Sequence, residues 1–290
     1  HLVPILAMGL ALGTAVSAPT AASAASSPAA GPWTVEYDAS PAFSPDGDTV
    51  VFARGHGPTR RLYMAHRSDG SWSTAEQVPF SNRWMDLEPA MAPDGASLVF
   101  VSNRPAGGTG QPLDGSWGGQ AHPGRGGNLW RVQRNGTVWS SPVRLPDTVN
   151  ASTSTFSPAV AADGSVYFMR ADPASGAFRL WRSRFVQGSY AAAQPLALGG
   201  GKAHSDYDPA VAPDQSFIVF SSDRPPASPS GDDLFIAYAT PQGWSTPLDL
   251  GIVGNEARLS AERTTLYYSA PDGRIHRISL ARWLSARPAH

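Results

Sequence analysis

The sequence predicts an all-β fold, a five-bladed β-propeller of four-stranded antiparallel blades. One segment recurs five times, about 50 residues apart, which is the spacing of propeller blades. The chain has 29 Gly, 27 Pro and 10% aromatic residues among 290, a composition that favours many short strands joined by tight turns. Hydrophobic residues make up 41% of the chain, which is enough for a sizeable core.

The recurring segment defines the innermost strand of each blade. Its anchor positions, 41, 89, 158, 209 and 257, are 48, 69, 51 and 48 residues apart, and the long interval contains a Gly-rich insertion at 105–127. Ala follows four of the anchors, at 42, 90, 159 and 210. A small residue is expected there because the blades converge on an axis where little volume is available. The aligned segments are 40–47, 88–95, 157–164 and 208–215, with a decayed copy at 256–263.

Each repeat continues with the same elements. A Pro-Asp-Gly turn such as Pro45-Asp46-Gly47 leads into a β-branched and aromatic second strand such as Val50-Val51-Phe52, and then into a third strand. The fourth strand opens with an aromatic residue. Because these aromatics recur in register, we predict that they pack structurally and do not form a ligand-stacking stripe. They are Trp72, Trp139, Tyr190 and Trp244.

The fifth repeat lacks a fourth strand of its own. Residues 31–36, which precede the first anchor, resemble the fourth-strand segment 242–247. We therefore predict that the N-terminal strand near Trp33 completes the last blade and closes the ring, leaving no open sheet edge. The propeller domain is expected at 31–285, followed by a tail at 286–290.

The first residues predict an export signal. Residues 2–16 form an apolar run too short to span a bilayer, and Ala22-Ser23-Ala24 fits the cleavage rule for signal peptides. We expect a signal peptide at 1–24, a short linker at 25–30 and a periplasmic or secreted monomer without a membrane span.

Charge and cysteine content exclude several functions. The net charge of −1 gives no electrostatic reason for a nucleic-acid partner. The absence of Cys excludes disulfides, thiolate catalysis and Cys-ligated metals. The sequence also lacks a G-x-S-x-G, an H-E-x-x-H, a P-loop and a dinucleotide motif.

Two short motifs carry a family resemblance. Phe100-Val101-Ser102-Asn103-Arg104 and Phe220-Ser221-Ser222-Asp223-Arg224 come after the turns at 93–95 and 213–215, and Trp-Ser-x-Pro occurs at 139–142 and 244–247. Together these motifs resemble the WD40-like (PD40), or TolB-type, propeller repeat over nearly all of the chain after the signal peptide. The resemblance implies an envelope scaffold that binds proteins, although TolB has six blades and an additional α/β domain. Similar repeats also occur in oligogalacturonate lyases and beside peptidase domains.

The long connections are expected on one face, here called the top face, at 79–88, 102–127, 146–157, 199–208 and 222–232. Two tiers of acids approach this face. Positions two apart in an extended strand project to one side, so each pair, 86/88 and 206/208, is expected to point together. Converging carboxylates would bind a cation such as Ca²⁺ or act as an acid/base pair. Alternatively, the acids pair with Arg54, Arg104, Arg170 and Arg224 at the ends of the second strands. The two tiers are Asp38, Asp86 and Asp206, and Glu88, Asp208 and Glu256.

The top loops also hold aromatic and histidine candidates. Trp84 and Tyr207 lie outside the repeat pattern and are candidates for stacking on sugar or peptide. The insertion 105–127, with Trp117 and His122, is expected to be a structureless lid or recognition loop, or else a solvated excursion. A three-His metal site from His56, His122 and His204 is a further hypothesis.

Two functions are consistent with these features. The first is a non-catalytic scaffold that needs no cofactor and binds a protein, peptide or envelope polysaccharide on the top face. The alternative is a polysaccharide lyase or glycoside hydrolase. Asp86, Glu88, Asp206 and Asp208 would then supply acid/base groups, with Trp84 and Trp117 holding the sugar. The fold alone does not distinguish them.

Overall fold

The computed structural model describes residues 26–201, 203–229 and 231–287, so the predicted signal peptide at 1–24 lies outside the described residues. Five antiparallel sheets, one for each repeat, form a five-bladed propeller, which confirms the predicted fold class. The helical elements are a 3₁₀ turn (Gly57–Thr59) and α1 (Ala281–Ser285). No helix in this described part of the chain is long and apolar enough to cross a membrane.

The blades follow one another along the chain, and the first strand of the described chain joins the last blade. That strand is β1 (Ser27–Pro28). Blade 1 contains β2 (Ala39–Phe43), β3 (Thr49–Arg54), β4 (Arg61–Ser68), β5 (Ser71–Trp72) and β6 (Glu76–Gln77). Blade 2 contains β7 (Asp86–Met91), β8 (Ser97–Ser102), β11 (Asn128–Asn135), β12 (Val138–Trp139) and β13 (Val143–Arg144), with the inserted hairpin β9 (Gly115–Trp117) and β10 (Gln120–His122).

The remaining blades repeat this plan. Blade 3 contains β14 (Thr155–Val160), β15 (Val166–Ala171), β16 (Phe178–Ser183) and β19 (Gln194–Pro195), with a side hairpin of β17 (Phe185–Val186) and β18 (Ser189–Tyr190). Blade 4 contains β20 (Asp206–Val211), β21 (Phe217–Ser222), β22 (Asp233–Thr240), β23 (Gly243–Trp244) and β24 (Leu248–Val253). Blade 5 contains β25 (Asn255–Leu259), β26 (Thr265–Ser269) and β27 (Ile275–Ser279).

The innermost strands surround the axis. β2, β7, β14, β20 and β25 each contact the next, and β25 also contacts β2. Each innermost strand contains a β-bulge, which appears as a register shift against the second strand. The residue before the anchor position has a positive φ in every blade. These residues are Ser40 (55°), Glu88 (52°), Ser157 (48°), Asp208 (52°) and Glu256 (52°).

The blades pack face to face through their second and third strands, whose apolar residues are almost all buried. The aromatics at the fourth strands pack on other rings, within a blade or between blades, as predicted. Trp72 lies 6.5 Å from Phe43 between ring centroids, and Trp244 lies 6.5 Å from Tyr167 in blade 3.

The N-terminal segment pairs with blade 5 earlier in the chain than predicted. β1 is antiparallel to β27, with Ser27 opposite Arg277, and the Ala29 N–H donates to the Ile275 carbonyl at 2.9 Å. The pairing strand therefore lies within the segment 25–30 that was predicted to be a linker.

Trp33 has a packing role instead. Residues 31–36 form no strand, and the Trp33 ring packs edge-on against Phe52 of blade 1 and Tyr267 of blade 5. Its indole N–H donates to the Ala29 carbonyl at 2.7 Å. The predicted closing strand near Trp33 is thus corrected: the ring lies between the two blades, and the strand pairing is made by residues 27–28.

The insertion 105–127 is ordered, which corrects the expectation of a structureless loop. Its hairpin pairs Gln120 with Trp117. The hairpin packs on blade 3, where the Gly118 N–H donates to the Gly176 carbonyl at 2.9 Å. Trp117 also packs edge-on against Phe156. The glycines allow this close approach, since a Cβ on Gly176 would lie 2.8 Å from the Gly119 nitrogen.

Candidate functional site

The bulges determine the chemistry of the propeller axis. A bulge turns the side chain of its extra residue out of the regular strand alternation. At the bulge residue, blades 1 and 3 have serine, whereas blades 2, 4 and 5 have Glu88, Asp208 and Glu256. Glu88 and Asp208 are 6% and 5% exposed. Three carboxyl groups from three blades are therefore brought together at the axis.

Carboxylates accept hydrogen bonds from bulges in the following blade. Glu88 accepts from the Ser157 N–H at 2.7 Å, and Asp208 accepts from the Glu256 N–H at 2.8 Å. The carboxyl groups therefore link neighbouring blades.

Two arginines balance this acidic group. Arg60, which precedes β4, donates to Glu256 Oε1 at 2.8 Å. Arg258 occupies the position that is Ala in the other four repeats and is 5% exposed. Its guanidinium donates to the Pro89 and Ala257 carbonyls at 3.3 and 2.7 Å and to Ser157 Oγ at 3.3 Å. The alanines leave room at the axis for this one long side chain.

The environment separates the pKa values of the three acids. Burial, together with the negative charges of Asp208 and Glu256, raises the pKa of Glu88 to about 8. Burial and the Glu256 charge also raise the pKa of Asp208. Burial opposes ionisation of Glu256 as well, but the Arg60 guanidinium overcomes it and lowers the pKa of Glu256. Glu88 and Asp208 therefore bind a proton more readily than free carboxyl groups do, whereas Arg60 favours the ionised form of Glu256.

A cavity of about 430 Å³ lies above this group on the top face. We call it the top cavity. Its exposed rim includes Tyr37, which is 43% exposed and lies 5.0 Å from the His56 ring between centroids. The residues that matter for its chemistry are Tyr37, Arg60, Glu88, Met169, Asp208 and Glu256.

The second tier of acids forms ion pairs within the blades. Asp38 pairs with Arg54 at 2.8 Å, Asp86 with Arg104 at 2.9 Å and Asp206 with Arg224 at 2.7 Å. In blade 3, Thr155 replaces the acid, and Arg170 lies over the Trp181 ring at 4.6 Å. The expected Asp–Arg pairing is therefore present in three blades.

These pairs correct the expectation that 86/88 and 206/208 act together. Asp86 faces Arg104 within its own blade, whereas Glu88 faces Ser157 of the next blade. The bulge between the two residues changes the direction of the side chains, so the regular alternation of a strand does not hold there.

The three histidines have separate neighbours. His56 packs on Tyr37, His122 stacks on Trp117 at 3.7 Å, and His204 lies 3.5 Å from Asp206. Within residues 26–201, 203–229 and 231–287, no group of three or more His, Cys, Asp or Glu side chains is placed to hold a metal ion. The hypothesis of a three-His metal site is therefore wrong.

The top-loop aromatics contact protein groups. Trp84 is 9% exposed, and Arg83 lies over its ring at 4.6 Å. Trp117 packs between His122 and blade 3. Tyr207 packs on Phe178 at 5.7 Å. Sequence reasoning missed Tyr37, Arg60 and Arg258. Of these, Arg258 had a visible signal, because it breaks the Ala pattern of the repeat.

Comparisons with known proteins concern the fold. No family model and no curated protein sequence matched the chain. Among solved structures, TolB from Acinetobacter baumannii is 17% identical, with 84% of this chain and 54% of that chain covered and a TM-score of 0.49. This chain thus spans about half the length of that TolB.

Two further solved structures are similar to this chain. A putative TolB from Agrobacterium tumefaciens is 19% identical, with 85% and 91% covered and a TM-score of 0.42. A gluconolactonase from Xanthomonas campestris is 16% identical, with 85% and 77% covered and a TM-score of 0.45. TolB-type propellers and enzymes therefore both occur among the structures similar to this chain. At these identities no activity follows from the likeness.

Proposed function

We propose that this chain is an exported, non-catalytic binding module that recognises a protein or an envelope polymer through its top face. The observation that carries the proposal is that the six acids of the two tiers are held by arginines or backbone N–H groups, beside a cavity that opens on the same face. Export is supported by the signal-peptide pattern at 1–24.

The contacts of Asp86, Asp206 and Asp208 argue against a role for these side chains in acid/base catalysis. Asp86 and Asp206 are held in buried ion pairs with Arg104 and Arg224, and removing them would destabilise the fold. Asp208 accepts a backbone N–H from the next blade. These contacts support a structural role for the carboxyl groups, which leaves the rim and the cavity for binding.

One residue favours the alternative. Glu88 lines the top cavity, and its pKa is raised to about 8, which is a property of general acids in glycoside hydrolysis. A carbohydrate-active enzyme using Glu88 is therefore the second candidate, and a single experiment can address both.

The experiment compares binding with turnover. The purified protein would be screened on envelope polysaccharides for new reducing ends or unsaturated products, and immobilised in parallel to capture envelope proteins and polymers. We expect a captured ligand and no turnover. Tyr37→Ala and Arg60→Ala should each weaken capture about tenfold, whereas Arg67→Ala, an exposed arginine on the opposite face, should not.

Two outcomes would contradict the proposal. Products that disappear in Glu88→Gln would establish the enzyme. Capture that is insensitive to Tyr37→Ala and Arg60→Ala would move the binding site away from the top cavity. A mature N-terminus near residue 25, read by mass spectrometry after export, tests the predicted signal peptide separately.

A further inference from the structure

The opposite end of the axis has a second cavity with different chemistry. It has a volume of about 90 Å³ and is lined by the ends of all five innermost strands. We call it the bottom funnel. The residue two positions after the anchor is apolar in every blade and lines the funnel. These residues are Phe43, Met91, Val160, Val211 and Leu259.

The funnel is apolar in its walls and cationic in its charge. In the described part of the chain, its charged lining residues are Arg258 and Arg263, and no acid lines it. Neither arginine makes an ion pair within 4.0 Å among the described residues. Arg258 has Glu88 and Asp208 nearby on the top side. Arg263 donates to the Ala261 carbonyl at 2.7 Å, so most of its N–H groups remain available for an anion.

Arg263 adopts a backbone conformation that glycine would adopt at a lower energetic cost. It occupies the turn position that is glycine in three repeats, Gly47, Gly95 and Gly164, and it keeps a φ of 60°. An L-residue in this conformation carries a conformational cost that glycine avoids. A residue that keeps a costly backbone conformation while lining a cavity supports a binding role for that cavity.

From this geometry we infer that the bottom funnel binds the C-terminal residue of a partner polypeptide. Its aliphatic side chain enters the funnel, and its α-carboxylate pairs with Arg263. The size supports one aliphatic side chain: 90 Å³ is smaller than the roughly 150 Å³ cavity that takes up benzene. The alkyl chain of a fatty acid, which shares the combination of apolar group and carboxylate, would need more space. This site lies on the face opposite the top cavity and does not depend on the proposed function.

The test uses the full chain with ¹³C-labelled methionine methyl groups, because the two cavities have different reporters. Met91 lines the bottom funnel and Met169 lines the top cavity. Their signals are assigned with Met91→Leu and Met169→Leu. The probes are N-acetyl-Gly-Gly-Leu with a free carboxylate, the same peptide as its C-terminal amide, and decanoate.

The expected result is a shift of the Met91 signal by the acid peptide while the Met169 signal stays constant. The amide should bind measurably more weakly, by about two- to fivefold, the effect of a partly exposed charge pair. Arg263→Gln should reduce the affinity of the acid peptide to that of the amide. The matched control Arg67→Gln, also on the bottom face, should leave it unchanged.

Four results would overturn the inference. They are equal binding of acid and amide, a shift confined to Met169, no shift at Met91 up to about 10 mM peptide, and binding of decanoate without binding of the peptide. The last result would assign the funnel to a fatty acid. Thermal melts of Arg263→Gln and Arg67→Gln would verify that both variants are folded.

Discussion

The two ends of the propeller axis are built from the same five strands but differ in chemistry. At the top, the bulge residues are Ser, Glu, Ser, Asp and Glu, and the cavity has a volume of about 430 Å³. At the bottom, the corresponding residues three positions later are all apolar, and the cavity has a volume of about 90 Å³. Arg258 lies between the two ends, because it lines the bottom funnel and lowers the pKa of Glu88 and Asp208.

The comparison distinguishes residue types that recur in all five blades from residues that occur in single blades. Apolar residues at all five bottom positions maintain the packing between blades, which every blade needs. At the top, the bulge residue is acidic in three blades and serine in two, and two arginines depart from the repeat, Arg258 where four blades have alanine and Arg263 where three have glycine. We infer that binding chemistry resides in these departures.

The largest expected effect comes from removing the cation shared by both ends. Arg258→Ala restores the residue of the other repeats but leaves Glu88, Asp208 and Glu256 with Arg60 as their nearby cation. Among the described residues Arg258 makes no ion pair within 4.0 Å, so its removal costs the hydrogen bonds that it donates to Pro89, Ala257 and Ser157 and part of the balancing charge, about 1–3 kcal/mol. We expect the free energy of unfolding at pH 8, measured with denaturant, to fall by about that amount.

The matched control for this variant lies five positions away in the same blade. Arg263→Ala removes a less buried arginine and should change the free energy of unfolding by less than about 0.5 kcal/mol. Equal effects of the two substitutions would show that Arg258 does not balance the buried carboxyl groups. The loss in Arg258→Ala should also be smaller at pH 5, because Glu88 and Asp208 then bind protons more readily.

A smaller effect is expected from Glu88, a carboxyl group whose pKa is raised by burial and by its acidic neighbours. The pKa of Glu88 is about 8 in the folded protein, against 4.5 for a free side chain. Between these values the folded protein holds a proton that the unfolded chain releases, so the free energy of unfolding falls as pH rises from 4.5 to 8. Glu88→Gln retains an acceptor for the Ser157 N–H and removes this dependence.

The measurement is the difference in the free energy of unfolding between Glu88→Gln and the original chain as pH changes. We expect the difference to grow in favour of the variant by about 1.4 kcal/mol or more from pH 5 to pH 8.5, the equivalent of one pKa unit. Glu262→Gln, at an exposed position of the bottom face, should show no such trend. A flat difference for Glu88→Gln would mean that the carboxyl group is already ionised at pH 5.

Sequence reasoning succeeded where the signal is repeated and failed where it is local. The five copies of the anchor segment predicted the blade count, and the in-register Trp72 and Trp244 were correctly assigned to packing. The bulge before each anchor was missed because its residues, such as Ser40 and Glu88, are not the glycines that indicate a positive φ. That omission produced the wrong expectation that 86/88 point together.

The strand pairing that joins the N-terminal segment to blade 5 was predicted only in part, for a related reason. Trp33 resembles a fourth-strand aromatic, yet its ring fills the gap between blades 1 and 5, and the pairing falls on Ser27–Pro28. A two-residue strand that contains a proline has no sequence signal of its own, because its pairing depends on a neighbour from the other end of the chain. Likewise, the partner of Arg60, Glu256, is distant in sequence and becomes apparent only when the ring is assembled.

The smallest expected effect concerns the turn position at the bottom funnel, where Gln215 and Arg263 both have a φ of 60°. Arg263→Gly should relieve the backbone cost and raise the free energy of unfolding by about 1 kcal/mol, while weakening the binding of the carboxylate peptide. Gln215→Gly gains the same relief but loses hydrogen bonds to Tyr167 and Asp163, at 2.8 and 2.9 Å, so its net change should be near zero. Thermal melts of the two variants would measure the comparison. If Arg263→Gly stabilises the fold and weakens peptide binding, the arginine is retained at a cost to stability for the sake of the funnel. If it destabilises the fold, Arg263 has a structural role, and the strain offers no support for a binding site.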